Sequence, residues 1–273
     1  MPELPELELV VKTMREHALG RTIQAVVLNP KRAFVIRHPL EDFARELTGR
    51  KLAAVDRRGK FVLFGFAGEA LHLVINAMLG GRFALASRAA PELPATCFTL
   101  QFDRALDFRF LDSTMGARIY LTDSLEADVP SFSELGPDAL DPALTYDVFA
   151  ARLKRHRGEI KNVLRNQVFV AGIGNAYSDE ILFAARIRPL RRTSTLSEEE
   201  RRALYAALRS VLQDSVATIQ QQYADKHHPL HKQDRSFMKI HARSKSVCPR
   251  CGHRISSIHS GGESTYYCRE CQR

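Results

Sequence analysis

Two cysteine pairs constrain this chain more than any other feature. Cys248-Pro-Arg-Cys251 is followed, after sixteen residues, by Cys268-Arg-Glu-Cys271. Each C-x2-C knuckle brings two sulfurs to one tight turn, and two knuckles at this separation suit tetrahedral Zn2+ on four thiolates. The residues between them can form a hairpin. Four protein ligands leave no open position for water, so the expected cofactor is one structural Zn2+. The fifth cysteine, Cys97, stands apart and makes the count odd. An odd count argues against a secreted disulfide framework, and the opening MPELPELE has acidic residues where a secretory signal has a positive start and an apolar run. Cys97 by itself reads as a buried small hydrophobe.

A zinc ribbon can bind nucleic acid, bind protein or simply brace a fold, so charge is the next constraint. The 273 residues carry a formal net charge of +9, which favours polyanions, because Lys and Arg placed on phosphates release counterions. Around the knuckles lie Lys239, Arg243, Lys245, Arg250, Arg254 and Arg269. Hydrophobic residues make up 45%, enough for a sizeable core. No apolar run approaches the roughly 18–20 residues of a membrane span. The expectation is a cytoplasmic protein without a membrane partner.

The hydrophobic pattern changes along the chain. Residues 1–130 read mostly as short strands rich in β-branched and aromatic residues: VVLNPKRAFVI, KLAAVDRRGKFVLFGF, HLVINAMLGGRFALA and TCFTLQFDRALDFRFLD. Residues 5–18, PELELVVKTMREHA, instead have helical spacing. The segment SFSELGPDALDP (131–142) reads as a hinge region. Beyond it, LTYDVFAARLKRHRG, EIKNVLRNQ, NAYSDEILFAARI and LSEEERRALYAALRSVLQDSVATIQQQYA carry apolar residues at i, i+3 and i+4. Ser197 followed by Glu200 fits a capping box. The polar segment 225–236 reads as mobile. The predicted fold class is α+β: a β-sandwich with an N-terminal helix (1–130), a helical domain (131–236) and a zinc ribbon (237–273).

Three further motifs are weak singly. VAGIGN (170–175) precedes a predicted helix; its glycines could present N–H groups to a phosphate or make a tight helix–helix turn. RRGK (57–60) is a basic turn between strands. MPELPELE places Pro2 and Glu3 at the start. Together, in this order and with LGPDAL (135–140) and IKNVLRNQVFVAGIGNAYSDEILFAARIRP (160–189), the motifs resemble the formamidopyrimidine-DNA glycosylase/endonuclease VIII family of base-excision repair enzymes. The resemblance covers essentially the whole chain.

It implies a helix–two-turn–helix module in the helical domain and a partner in double-stranded DNA carrying a damaged base or abasic site, bound by a monomer at the nucleoid. In the family, methionine removal frees the proline, here Pro2, whose amine attacks C1′ of the damaged nucleotide. Glu3 would be the general acid/base, and Lys60 would contact phosphate and assist proton transfer. The resemblance makes Asn175, Lys161 and Arg157 contacts to the DNA backbone. It makes Glu6 and Glu180 groups that order the N-terminal region. Base flipping is implied, because the sugar must reach Pro2.

Four departures fall at lesion-reading positions. The family's H-L-G-M-S-G is Asn76-Ala-Met-Leu-Gly-Gly81, so Leu79 replaces the methionine that fills the hole left by the flipped base. The family's D-P-R-R-F-G loop is Asp112-Ser-Thr-Met-Gly116, leaving Thr114 and Met115 for the base-pairing arginine and the wedge phenylalanine. A family histidine is missing near residues 94–97. The finger arginine that clamps phosphates is Glu263, with Arg243 and Arg254 as candidate substitutes. Two readings therefore stand: a glycosylase/AP lyase with a lesion preference other than 8-oxoguanine, and a non-catalytic binder of damaged DNA on the same fold. A zinc-ribbon scaffold protein leaves residues 1–64 unexplained.

Overall fold

The computed structural model describes residues 1–223, 234–260 and 262–273. Its residues cluster into two compact units, one built on Met1–Ser133, the other on Glu134–Thr218 with Asp234–Arg273. The helical module and the finger thus lie in one unit.

The first unit opens with helix α1 (Leu4–His17). Pro5 is tolerated there because the first turn of a helix leaves its N–H groups unbonded anyway. Leu4, Leu7, Val10, Val11 and Met14 bury one face, packed on β2. Strands β1 (Ile23–Leu28), β2 (Leu52–Arg58), β3 (Phe61–Phe66), β4 (His72–Asn76), β5 (Gly81–Ser87), β6 (Thr96–Phe102), β7 (Leu106–Asp112) and β8 (Arg118–Thr122) form two antiparallel sheets. Their orders are β1-β6-β7-β5 and β2-β3-β4-β8. The sheets face one another through aromatic side chains: Phe64 of β3 meets Phe108 of β7 with ring centroids 5.2 Å apart, and Phe83, Phe98 and Phe110 extend the layer. This is the expected sandwich.

Three local readings need correction. VVLNPKRAFVI is not one strand: β1 stops at Leu28, and Ala33–Val35 form a 3-10 turn. HPLEDFAREL contains helix α2 (Leu40–Leu47), whose two large apolar anchors, Phe43 and Leu47, are fully buried. A short helix α3 (Leu125–Asp128) follows β8.

The second unit holds α4 (Tyr146–Arg155), α5 (Ile160–Arg165), α6 (Asn175–Ala184), α7 (Glu198–Tyr223) as far as Thr218, and the hairpin β9 (Ser256–Ser260)–β10 (Glu263–Tyr267). The capping box at the start of α7 is reciprocal: Glu200 N donates to Ser197 Oγ at 3.2 Å, and Ser197 N to Glu200 Oε2 at 2.8 Å. The segment read as a hinge is docked, because Gly136 N and Ala139 N donate to Gln167 O and Ala171 O beside the glycine turn. A Cβ on Gly136 would lie 2.3 Å from Val168 O, so only glycine fits that approach. Helix α6 is buried from Ala176 to Phe183. Its Asp179 and Glu180 therefore need partners, since an unpaired buried carboxylate is costly. Most of the segment 225–236 lies outside the described residues.

Candidate active site and metal centre

At the N-terminus, Pro2 and Glu3 are buried just ahead of α1. Glu3 N donates to Glu6 Oε2 at 2.9 Å, so the first turn of the helix fixes the backbone of Glu3. Lys60 sits at the β2–β3 turn, which Gly59 makes with a φ of +57°. Arg57 locks that turn to α1. Its Nε and Nη2 donate to Glu8 Oε1 at 2.9 and 2.7 Å, and its Nη1 donates to Gly59 O at 2.9 Å. The sequence names Arg57 only within RRGK and Glu8 only within MPELPELE, and gives no sign that the two pair.

A second constellation joins the turn 77–80 to the loop 113–116. Buried Asp112 shapes the loop by accepting from Thr114 N, Thr114 Oγ1 and Ala117 N at 2.9, 2.9 and 2.7 Å. Gly80 presses against it: a Cβ there would lie 2.2 Å from Thr114 Oγ1 and 2.3 Å from Asp112 Oδ1. The two segments thereby present Leu79, 68% exposed, and Met115, 44% exposed with φ +55°. Among the described residues of this unit, Leu79 is the most exposed large apolar side chain, ahead of Phe34 at 51%. The Thr114 hydroxyl is committed to Asp112, so its place in this loop is structural.

In the second unit, strand β10 is stitched to the helices at three successive residues. Arg165, the last residue of α5, pairs with Glu263. Asn175, the first of α6, donates through Nδ2 to Ser264 O at 3.1 Å. Lys161 donates to Thr265 Oγ1 at 2.8 Å and to Asp179 Oδ1 at 2.6 Å. Lys161 is 3% exposed. Burial pushes its pKa down from the usual lysine value, and the Asp179 carboxylate opposes that. The other Asp179 oxygen faces His241 Nδ1 at 2.8 Å. Glu180, implied by the resemblance to order the N-terminus, here receives Lys239 N, Ile240 N and His241 N at 3.0, 2.8 and 2.8 Å, gripping the chain that enters the finger.

Arg157 lies elsewhere in this unit, exposed in a cleft of about 410 Å³ with Lys154, His156, Arg192 and Arg201. Burial and then Arg152 hold His156 below its ordinary pKa, so the cleft's positive charge comes from lysine and arginine. Arg243 is engaged with the backbone of the finger's approach, donating to Met238 O at 2.6 Å and Ser236 O at 2.5 Å. Arg254 is exposed at the base of the hairpin.

The four cysteine sulfurs lie within 4.8 Å of one another. Zn–S bonds of about 2.3 Å place tetrahedral sulfurs about 3.8 Å apart. Cys248 Sγ and Cys271 Sγ are 3.8 Å apart, Cys251 Sγ and Cys268 Sγ 3.5 Å, and no disulfide forms among them. The cluster therefore fits one structural Zn2+. Gln272 supports it, accepting from Cys268 N at 2.8 Å and donating to Ile187 O at 2.8 Å.

A β-sandwich opened by Pro2 and Glu3, a helical module with a glycine turn and a four-cysteine finger together define the class of DNA-repair glycosylases. Comparison with known proteins agrees over the full length. Residues 1–119 match the formamidopyrimidine-DNA glycosylase N-terminal domain, 135–226 its H2TH domain, and 245–273 the zinc finger found in FPG and IleRS. Formamidopyrimidine-DNA glycosylase of Pelotomaculum thermopropionicum is 34% identical, with 100% of this chain and 99% of the relative covered. That of Moorella thermoacetica is 35% identical over 94% of each. Lactococcus lactis formamidopyrimidine-DNA glycosylase bound non-covalently to DNA with an AP site superposes with a TM-score of 0.85 at 25% identity over 99% of both chains. Its complex with DNA containing Fapy-dG gives 0.86 at 25% identity, covering 99% of this chain and 100% of that one. The chain belongs to the formamidopyrimidine-DNA glycosylase family.

Proposed function

We propose that this protein is a bifunctional DNA glycosylase/AP lyase acting as a monomer on double-stranded DNA in the cytoplasm. Removal of Met1 turns the Pro2 nitrogen into a secondary amine. That nitrogen attacks C1′ of the damaged nucleotide, the C1′–base bond breaks, and the base leaves with a proton. The C1′–O4′ bond then breaks, O4′ taking up the proton that the amine has lost, and leaves a cationic iminium between Pro2 N and C1′. This iminium draws electrons from the opened sugar, a base removes the C2′ proton, and the 3′ phosphate departs by β-elimination. Glu3 serves as the acid/base at the sugar and Lys60 holds phosphate. The reading is carried by the placement of Pro2 and Glu3: both are buried, and Glu6 fixes the backbone of Glu3. The Glu8–Arg57 lock on the Lys60 turn supports it further.

The lesion preference differs from that for 8-oxoguanine. Leu79 fills the hole left by the flipped base and Met115 is the wedge, both held out by the Gly80–Asp112–Thr114 support. No arginine stands in the 112–116 loop to make a bidentate contact with the orphaned base. An excision panel in which 8-oxoguanine opposite cytosine is preferred strongly over every other lesion would overturn this.

A second reading, a binder of damaged DNA without catalysis, is favoured by Glu263 at the position of the finger arginine. Borohydride trapping on a duplex with one abasic site separates the two. The enzyme reading expects a covalent complex that disappears in Pro2→Gly and weakens in Glu3→Gln. Tight binding of the same duplex without any complex would leave the binder.

A further inference from the structure

A carboxylate at the tip of a DNA-binding hairpin opposes the phosphate it should meet, unless something nearby reverses its charge. Four cations of this unit come into consideration, Lys161, Arg243, Arg254 and Arg165, and the structure separates them. Lys161 is 3% exposed, with its ammonium committed to Asp179 and Thr265. Arg243 is tied to the backbone of Met238 and Ser236. Arg254 precedes β9, and Ser256, where that strand begins, is already about 13 Å along it from Ser260, the partner of Glu263.

Arg165 is different. Its guanidinium reaches Glu263 through Nη2, and its side chain is 32% exposed. A guanidinium has five N–H donors. Those on Nε and Nη1 have no protein partner among the described residues. Its backbone is fixed to the glycine turn, because Gln167 Nε2 donates to Arg165 O at 2.7 Å and to Ile173 O at 2.8 Å, while Gln167 Oε1 accepts from Gly172 N at 2.9 Å. Asn175, at the end of the same turn, donates one of its two amide N–H groups to Ser264 O.

We propose that Arg165, held at the hairpin tip by Glu263, is the residue of this chain that contacts a DNA backbone phosphate there. Glu263 is a positioning residue: it neutralises itself on Nη2 and turns the remaining donor edge outward. The guanidinium then comes from α5 rather than from the hairpin, with the carboxylate as its anchor. A guanidinium edge makes charge-assisted, bidentate contacts to phosphate that an ammonium cannot match.

This inference rests on the DNA-processing reading above, and the test keeps the two apart. Binding of a fluorescein-labelled duplex carrying a tetrahydrofuran site is measured by anisotropy from 50 to about 300 mM salt, where each phosphate contact contributes about 0.9 to the slope of log K against log salt. Arg165→Ala should lower the magnitude of that slope by about one and weaken binding about equally on all duplexes. Arg165→Lys should keep the slope, and adding Glu263→Arg to Arg165→Ala should restore it by returning a guanidinium to the same tip. Zinc content and Tm of each variant identify any that fail to fold, for which Arg165→Gln replaces the alanine. A folded Arg165→Ala or Arg165→Gln protein with the wild-type slope overturns the proposal, as does a double variant that gains nothing. Trapping of an authentic abasic site by wild type, run in parallel, fails only if the lyase reading fails.

Discussion

Arg57 donates twice to one oxygen of Glu8, and this pair couples the β2–β3 turn to the first helix. The Arg57 side chain is 6% exposed and that of Glu8 32%, so the ion pair is substantially shielded from solvent. Arg57→Ala should cost about 1.5–3 kcal/mol of stability, the usual range for losing hydrogen bonds to a charged group. The larger effect should be on chemistry: the borohydride-trapping rate falls at least tenfold while affinity for an abasic duplex changes little. Equal losses in both would assign Arg57 to DNA binding.

Glu180 holds three backbone N–H groups at the entrance to the finger. Glu180→Ala leaves these donors without their acceptor, at about 2–4 kcal/mol. Beneath them lie Phe183, Ile240, Cys248, Ile255 and Cys268, which form one cluster. The variant should surrender zinc to a chelator faster than wild type. Complete removal of zinc should abolish hydrogen-exchange protection in β9 and β10 and most DNA binding, because a small hairpin without its metal has too little core to stay folded.

Gly80→Ala puts a methyl group 2.2 Å from Thr114 Oγ1. Something must move, and the atoms in the way, Thr114 Oγ1 and Asp112 Oδ1, belong to the segment that carries Met115. We expect a Tm drop of several degrees. Relative excision rates across opposite bases should shift, with the rate of β-elimination at a pre-formed abasic site little altered. An unchanged excision profile would separate Leu79 and Met115 from lesion reading.

Cys97, near the start of β6, is fully buried, and burial, with Asp112 second, pushes its pKa from 9.0 to about 11. An acid whose pKa is raised by folding stabilises the fold while both states hold the proton. That contribution is lost as pH rises from about 9 to about 11, where the unfolded chain ionises first. The stability of wild type should therefore fall towards that of Cys97→Ala across this window, measured by urea denaturation. At pH 8, N-ethylmaleimide should label Cys97 only after unfolding.

Local signals carried the elements whose structure is local. The capping box at Ser197 and Glu200, the helical spacing of 5–18 and the cysteine knuckles each depend on residues a few positions apart. Helix α2 was hidden because eight residues hold only two buried anchors, Phe43 and Leu47, behind a proline. The strand order β1-β6-β7-β5 was also hidden, because partners such as Val26 and Leu100 are far apart in the chain.

The sequence by itself determined the family, the zinc ligands and the identity of the nucleophile candidate, because each depends on residue type at fixed spacing. Only the tertiary structure decided which cations are available. Lys161 and Arg165 are four residues apart on α5 and indistinguishable by charge. One is sealed against Asp179 and the other reaches the half-exposed Glu263. Burial and pairing set whether a charge can meet a phosphate, and both depend on neighbours that arrive from about a hundred residues away.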